Sequence, residues 1–310
     1  MIVTRLIGGL GNQMFQYAFG SYLANQTDQE LLIDASGFET YNLHPLAINH
    51  FSISAGQLAP EQQRRIPGRF RGKSRLRESA QQLISRFQRS DNASLKLRRE
   101  KPFGLHSRYL VPGRDLYLDG YWQSEAFFPG MRIRLRQEFS LSEPLSPQST
   151  AIVDQIAQCE SVAVHVRRGD YVTDPENGRI FRCLDGDYYR ACLRDLQQYS
   201  PNLQVFLFSN DIDWCRQHLD VGIPFLPVTH NDASTAHEDL YLISQCRHAI
   251  IANSSFSWWG AFLSEEQHGR RVYYPDPWFN PGTLNGDSIG CNDWISERSI
   301  TSTIRAREAA

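Results

Sequence analysis

The chain has 310 residues, 41% of them apolar and 21% charged, which is globular composition with material for a sizeable core. A formal net charge of −2 gives no overall field for a polyanion, so no nucleic-acid partner is expected. No run of about 18 apolar residues and no basic-then-apolar leader occurs, so the expectation is a cytoplasmic protein with neither transmembrane helix nor signal peptide.

Ile2 to Leu6 reads as a buried strand, followed by a glycine-rich turn through Gly8, Gly9 and Gly11. Met14, Phe15, Tyr17, Ala18, Tyr22 and Leu23 then recur at helical spacing, and a second strand, 31–33, closes at Asp34. Strand, turn, helix and strand make a βαβ unit whose helix N-terminus suits an anion or a sugar hydroxyl, with Asn12 and Gln13 offering amide donors. A dinucleotide fingerprint fails in detail, because Met14 stands where the third glycine belongs.

Residues 36–58 read as an irregular connection carrying His44 and His50. Over 64–101, Arg and Lys outnumber Asp and Glu by 13 to 3, with Leu76, Leu83, Ile84 and Phe87 at helical spacing. The expectation is a basic amphipathic helical insertion, about 60–101, docked on the first domain, with weak peripheral contact to an anionic membrane face as the alternative. Residues 117–124 predict a strand entering an aromatic loop at Tyr121 and Trp122, fit for stacking on a sugar or for the core.

The Ser- and Pro-rich stretch 141–150 is the expected boundary between a first domain, 1–145, and a second, 151–300. Beyond it, strands 162–166, 203–208, 225–228, 248–252 and 272–274 alternate with helices 187–199, one through Trp214, one through Leu240 and Ile243, and one opening at Asn253. A long loop is expected after the first of these strands. Alternation of this kind predicts a parallel, doubly wound α/β sheet with ligands beyond the carboxyl ends of its strands.

At those ends stand three clusters: HVRRGDY (165–171), FSND (208–211) and NSSFSWWG (253–260). Arg167, Arg168 and Asp170 follow a buried strand. A guanidinium fork suits phosphate oxygens, and an Arg168–Asp170 surface pair is the plainer reading. Asn253, Ser254, Ser255 and Phe256 at a helix start can hold phosphate oxygens, although a capped helix with two core tryptophans also explains them. Asp211 and its neighbours Ser209 and Asn210 can meet a purine edge, to which His165 can donate. The triplets Asp185-Gly186-Asp187 and Asp211-Ile212-Asp213 sit at expected helix starts and read as caps, so no metal is called for. Six scattered cysteines without C-x-x-C read as reduced core thiols, and the N-x-S/T matches at Asn25, Asn92 and Asn253 read as chance.

The stretches GGLGNQMFQYA (8–18), HVRRGDY, FSND and NSSFSWWGA (253–261) together resemble the motifs of the α-1,2-fucosyltransferases, glycosyltransferase family 11. They occur in the family's order and span residues 8 to 261. The resemblance implies a GT-B fold, two Rossmann-like domains facing across a cleft. It implies GDP-β-L-fucose as donor and inverting transfer to the 2-hydroxyl of a terminal β-galactoside, on an oligosaccharide or glycolipid, with no cofactor and no metal.

By motif position Arg167 becomes the diphosphate ligand. Gly9, Gly11, His165, Arg168, Asp170, Ser209 to Asp211 and Asn253 to Phe256 become donor-binding residues. Asn12 is a candidate to orient acceptor or fucose. His44 is the candidate base, with Asp34 and Glu39 as competitors. A non-catalytic glycan-binding protein on the same scaffold is the competing function; it would keep the aromatics without needing both arginines and the serine loop.

Overall fold

The computed structural model describes residues 1–40, 43–66, 94–101, 107–219, 222–265 and 267–308. In its first part β1 (Ile2–Arg5), α1 (Leu10–Thr27), β2 (Leu31–Asp34), β3 (Gly56–Gln57), β4 (Lys96–Arg99), β5 (Leu116–Asp119) and α2 (Arg132–Glu138) follow in order. The second part runs α3 (Pro147–Ala157), β6 (Glu160–Val166), α4 (Gly169–Thr173), α5 (Pro175–Ile180), α6 (Gly186–Gln197), β7 (Leu203–Ser209) and α7 (Ile212–His218). It continues through β8 (Phe225–Val228), α8 (Ala236–Gln245), β9 (His248–Ile250), α9 (Ser255–Leu263), β10 (Val272–Tyr274), β11 (Ile295–Ser296) and α10 (Glu297–Glu308).

The strands form two sheets, ordered β3-β2-β1-β5-β4 and β11-β10-β9-β6-β7-β8, and every named strand pair is parallel. Two parallel α/β halves are the GT-B arrangement. Each order reverses once: between β1 and β5 in the first sheet, between β9 and β6 in the second. Ligands of open parallel sheets settle in the crevice outside the carboxyl ends at such a reversal. The glycine turn leaves β1, the Tyr121 loop leaves β5, the arginine loop leaves β6 and the serine loop follows β9. Both crevices are thus lined by motif loops.

Helical caps follow the expected chemistry. Asp185 Oδ1 accepts the N–H groups of Asp187 and Tyr188 at the start of α6, and Asp211 Oδ1 accepts that of Trp214 in α7. The acids of both triplets that lead their helices are therefore caps.

The halves meet through α1 and α9. Phe15 stands 4.5 Å from the Trp258 ring and 5.0 Å from that of Trp259, all three buried. Trp259 Nε1 donates to the Gly11 carbonyl at 3.0 Å, and Trp258 Nε1 to that of Ile289 at 2.7 Å. Gly11 has no room for a side chain: a Cβ there would lie 2.4–2.6 Å from the Ser255–Phe256 peptide. The tryptophans that open α9 are the bolt of the inter-half core.

Several sequence expectations change. Residues 62–65 form a 3-10 turn and 96–99 the strand β4, so the expected helical insertion over 60–101 does not hold at either end, while its apolar positions 76, 83, 84 and 87, with most of the proposed membrane face, lie outside the described residues. KLRR, exposed at three of its four positions and carrying three charges, shows no strand-like pattern, yet it pairs as an edge strand on β5. The strand expected over 248–252 ends at Ile250, while the strand expected to enter the aromatic loop is β5, which ends at Asp119 just before Tyr121. The loop expected after β6 contains α4 and α5. The 141–150 stretch carries an antiparallel bridge from Leu141 to Phe51 and the first turn of α3, where Ser146 caps with Pro147 behind it. No described helix is long and apolar enough to cross a membrane.

Gly11→Ala is expected to cost about 1–3 kcal/mol of stability, because peptide backbone cannot step aside as a side-chain tip does. Gly9→Ala is the control, since a Cβ there would meet only the His44 ring, at an ordinary 3.7 Å. Thermal unfolding of both variants measures the difference, and equal melting temperatures would contradict the packing account.

Candidate active site

The GGLGNQMFQ stretch is largely construction. Gly8 takes φ +80°, the left-handed turn that ends β1. Gln16 Oε1 accepts the Ile7 N–H and its Nε2 donates to the Ile7 carbonyl, closing that turn. Buried Gln13 spends its whole amide: Nε2 donates to the Gly8 and Pro45 carbonyls, and Oε1 accepts from Ala47 and Ile48. It was expected to offer donors to a ligand; instead it pins the 45–48 segment, and with it the neighbouring His44, over the turn. Asn12 Oδ1 accepts from Gln123 Nε2 at 2.7 Å, tying the start of α1 to the loop after β5.

His44 is the residue this frame presents. Its ring lies over Gly9, half-buried, within electrostatic reach of Arg167 and Asp170 in the other half. Burial, then the Arg167 charge, holds its pKa below the usual 6.5, so the ring is neutral near pH 7. The two competing carboxylates stand in different surroundings. Asp34 Oδ1 accepts from the Ser36 N–H and Oγ, and its Oδ2 from the Tyr117 hydroxyl at 2.7 Å. Glu39 stands exposed on a 3-10 turn.

Across the second crevice, β6 and β9 pair with Val164 opposite Ile250. Past that register the two loops stay in contact, with the His165 ring 5.7 Å from that of Phe256 and the Tyr171 hydroxyl bonded to the Asn253 carbonyl, so the Arg167 loop lies against the start of α9. Arg167 Nη2 pairs with Asp170 Oδ1 at 2.6 Å and is 28% exposed. The expected Arg168–Asp170 surface pair does not form: Arg168 turns away, lying 4.0 Å above the Trp214 ring with Nε 3.4 Å from Asp211. Its backbone N–H donates to Asn210 Oδ1, and Asn210 packs where any side chain on Gly169 would collide. Ser209 Oγ accepts the Asp211 N–H. The FSND loop thus uses many of its polar atoms to brace the arginine loop. Bracing and binding both use small polar residues, so residue type alone does not separate them.

His165 is buried against the Phe256 ring, 5.7 Å away. Burial, then Arg167, pushes its pKa down to about 3, so it is a neutral imidazole. Ser254 caps α9, accepting the Phe256 N–H at a long 3.4 Å. Asn253 is more frame than contact: its Nδ2 donates to the Arg182 and Trp278 carbonyls, and its own carbonyl takes the Tyr171 hydroxyl. Two buried polar atoms at this crevice, His165 Nδ1 and Asn253 Oδ1, have no hydrogen-bond partner. A buried polar atom is costly in that state, and a polar ligand is one remedy. Among the described residues no group of three metal-ligating side chains occurs.

Chemically, one cation, a helix N-terminus and two orphaned polar atoms surround the β6–β9 crevice, while a neutral imidazole reaches toward them from the first half. That suits an anionic leaving group departing from a carbon attacked from the other side.

A family description, glycosyl transferase family 11, matches residues 104–275. The chain is 31% identical over 297 residues to an alpha-1,2-colitosyltransferase of Escherichia coli, covering 95% of this chain and 98% of that protein. It is 26% identical to the O-antigen biosynthesis glycosyltransferase WbnK of Escherichia coli, covering 94% and 98%. It is 27% identical to galactoside alpha-(1,2)-fucosyltransferase 1 of Sus scrofa, covering 83% of this chain and 64% of that one.

The neutral state of His165 carries a stability signature. Its folded pKa is far below the unfolded 6.5, so below pH 6.5 the unfolded chain binds the extra proton and stability falls as pH falls. Between pH 7 and pH 5 this amounts to about 2 kcal/mol. In His165→Gln, denaturant unfolding should lose about that much less stability over the same interval; an unchanged pH dependence would contradict the assignment.

Proposed function

The chain belongs to glycosyltransferase family 11, and from that premise we propose that it moves L-fucose from GDP-β-L-fucose to the 2-hydroxyl of a terminal β-galactoside, with inversion. The observation that carries this reading is the Arg167 loop lying against the N-terminus of α9 at the strand-order reversal of the second sheet. A guanidinium has five donors, more than Asp170 alone uses, so Asp170 aims the group and leaves donors for the diphosphate. The first turn of α9 adds amides and a favourable dipole. His165 Nδ1 and Asn253 Oδ1 are buried without a partner, and polar atoms of a bound nucleotide would satisfy them.

In the transfer step the acceptor oxygen forms its bond to the fucosyl anomeric carbon on the face opposite GDP. The bond from that carbon to the β-phosphate oxygen breaks as the ring gains oxocarbenium character. Negative charge collects on the departing phosphate, where Arg167 stabilises it as it forms. The acceptor proton goes to His44, which is neutral and so able to take it. Asn12, held by Gln123, orients the incoming sugar. The chemistry asks for no metal or cofactor once arginine neutralises the diphosphate.

A second reading of the donor has its own support: the 31% identical relative is an alpha-1,2-colitosyltransferase, which makes colitose the transferred sugar and leaves the linkage unchanged. Incubation with GDP-fucose or a colitosyl donor and a panel of galactosides, with the product linkage read by NMR, separates the two. No α-1,2 product from either would defeat the proposal.

Arg167→Ala is expected to lower kcat by more than about 10²-fold while the protein stays folded. Turnover near the wild-type rate would remove Arg167 from its role. His44→Ala should abolish the acidic limb of the pH–rate profile, which in the wild type lies below pH 6.5 because the base must be deprotonated. An acidic limb unchanged in the variant would rule that histidine out.

A further inference from the structure

The loop after β5 spends structural resources on one exposed ring. Gly120, Tyr121 and Trp122 turn sharply at the carboxyl end of the strand. Trp122 adopts φ +57°, a region that bulky residues occupy only when the surroundings impose it. Two constraints impose it here. The Trp122 ring is wholly buried against Phe19 at 4.6 Å, Tyr109 at 5.2 Å and Phe127 at 5.3 Å. On the other side Glu100 Oε2 accepts two successive N–H groups, those of Tyr121 at 2.6 Å and Trp122 at 3.1 Å. Gly120 must lack a side chain, since a Cβ would stand 2.4 Å from that of Glu100. Of the two aromatics, Trp122 is core, which removes it as a stacking surface. Tyr121 is what the strained turn holds out, 45% exposed.

Its location matters more than its exposure, because single exposed aromatics are common. Tyr121 stands at the reversal between β1 and β5, the first sheet's counterpart of the crevice that holds Arg167. Arg5, ending β1, donates to Asp119 Oδ1 at 2.9 Å across that crevice, and Arg99 donates to Oδ2 at 2.9 Å. Arg5, Glu100 and Asp119 all lie within electrostatic reach of the Tyr121 hydroxyl. Two residues on, Gln123 is bonded to Asn12 at the start of α1, whose Gly11 abuts the serine turn. The turn is thus linked by rigid contacts to the transfer site.

We propose that Tyr121 is the platform on which the apolar face of the acceptor β-galactoside lies, in a subsite at the β1–β5 crevice edged by Arg5 and Asp119. The assignment rests on the galactoside-transfer reading above. A β-galactoside carries a patch of C–H bonds on one face and hydroxyls around its edge. A phenol ring takes the patch, and the charged groups near it take the hydroxyls. Tyrosine loses little freedom in such a contact, having two side-chain torsions, and here its backbone is already fixed. Stacking orients the sugar without touching the donor, so Tyr121 sets acceptor selection and not leaving-group chemistry.

The test is saturation-transfer difference NMR of methyl β-D-galactopyranoside, with GDP present, on the wild type, Tyr121→Ala and Tyr121→Phe. The wild type and Tyr121→Phe should saturate the H3, H4 and H5 protons; Tyr121→Ala should lose that pattern, and its acceptor KM should rise roughly tenfold. The GDP-induced rise in melting temperature should be the same in all three, showing that the variants are folded with the donor site intact. A wild-type saturation pattern in Tyr121→Ala overturns the proposal, as does no saturation in the wild type while GDP still stabilises it. Tyr121-dependent saturation without any GDP stabilisation would support the platform and sink the donor reading instead.

Discussion

The arrangement of the two halves depends on a missing side chain. Residue 11 is glycine, and the peptide joining Ser255 to Phe256 occupies the space a Cβ would need. That approach lets the Trp259 indole reach the Gly11 carbonyl and brings Phe15 onto both tryptophans. It also sets the start of α1 against the start of α9. The glycine turn of one sheet and the serine turn of the other can then bound a common space. Were the helices a few ångströms further apart, His44 would sit beyond the influence of Arg167, and the crevices would be separate sites.

Around that contact, polar residues divide into those that build and those that present. Gln13, Gln16, Ser209, Asn210, Asp211 and the Asn253 amide spend donors or acceptors on backbone. Their task is to hold loops that no regular hydrogen-bond ladder supports, because loops at strand ends carry backbone groups that must be paired somewhere. Among the described residues of the site, Arg167, His44 and Tyr121 keep exposed surface. Each is fixed by a builder: Arg167 by Asp170, His44 by the segment Gln13 pins, Tyr121 by Glu100. Dense conservative chemistry around a few outward groups is how a site stays organised without filling itself.

Much of the fold was legible in the order of residues because parallel strands buried on both faces read as apolar runs. β6, with six consecutive buried positions, is the clear case. The elements missed were those whose pattern is weak for a physical reason. β4 is an edge strand with charged, exposed side chains, and β11 and β3 are two residues long. The helix start at Ser146 and Pro147 was hidden by resembling a linker, since caps and linkers draw on the same small residues.

The candidate site was legible by composition and not by direction. Arginines, a serine cluster and a glycine turn at strand ends are residue types that together suit phosphate. Which arginine faces the crevice, which amide is spent on backbone, and which of two adjacent aromatics is core depended on torsions and on partners tens of residues away in the chain or more, such as Gln123 for Asn12. The sequence alone determined the chemistry available at the strand ends and the alternation that puts those ends on one edge, because both follow from local residue type and period. Only the tertiary structure decided that Arg167 rather than Arg168 and Tyr121 rather than Trp122 look outward, because a side chain's direction is settled by what packs behind it.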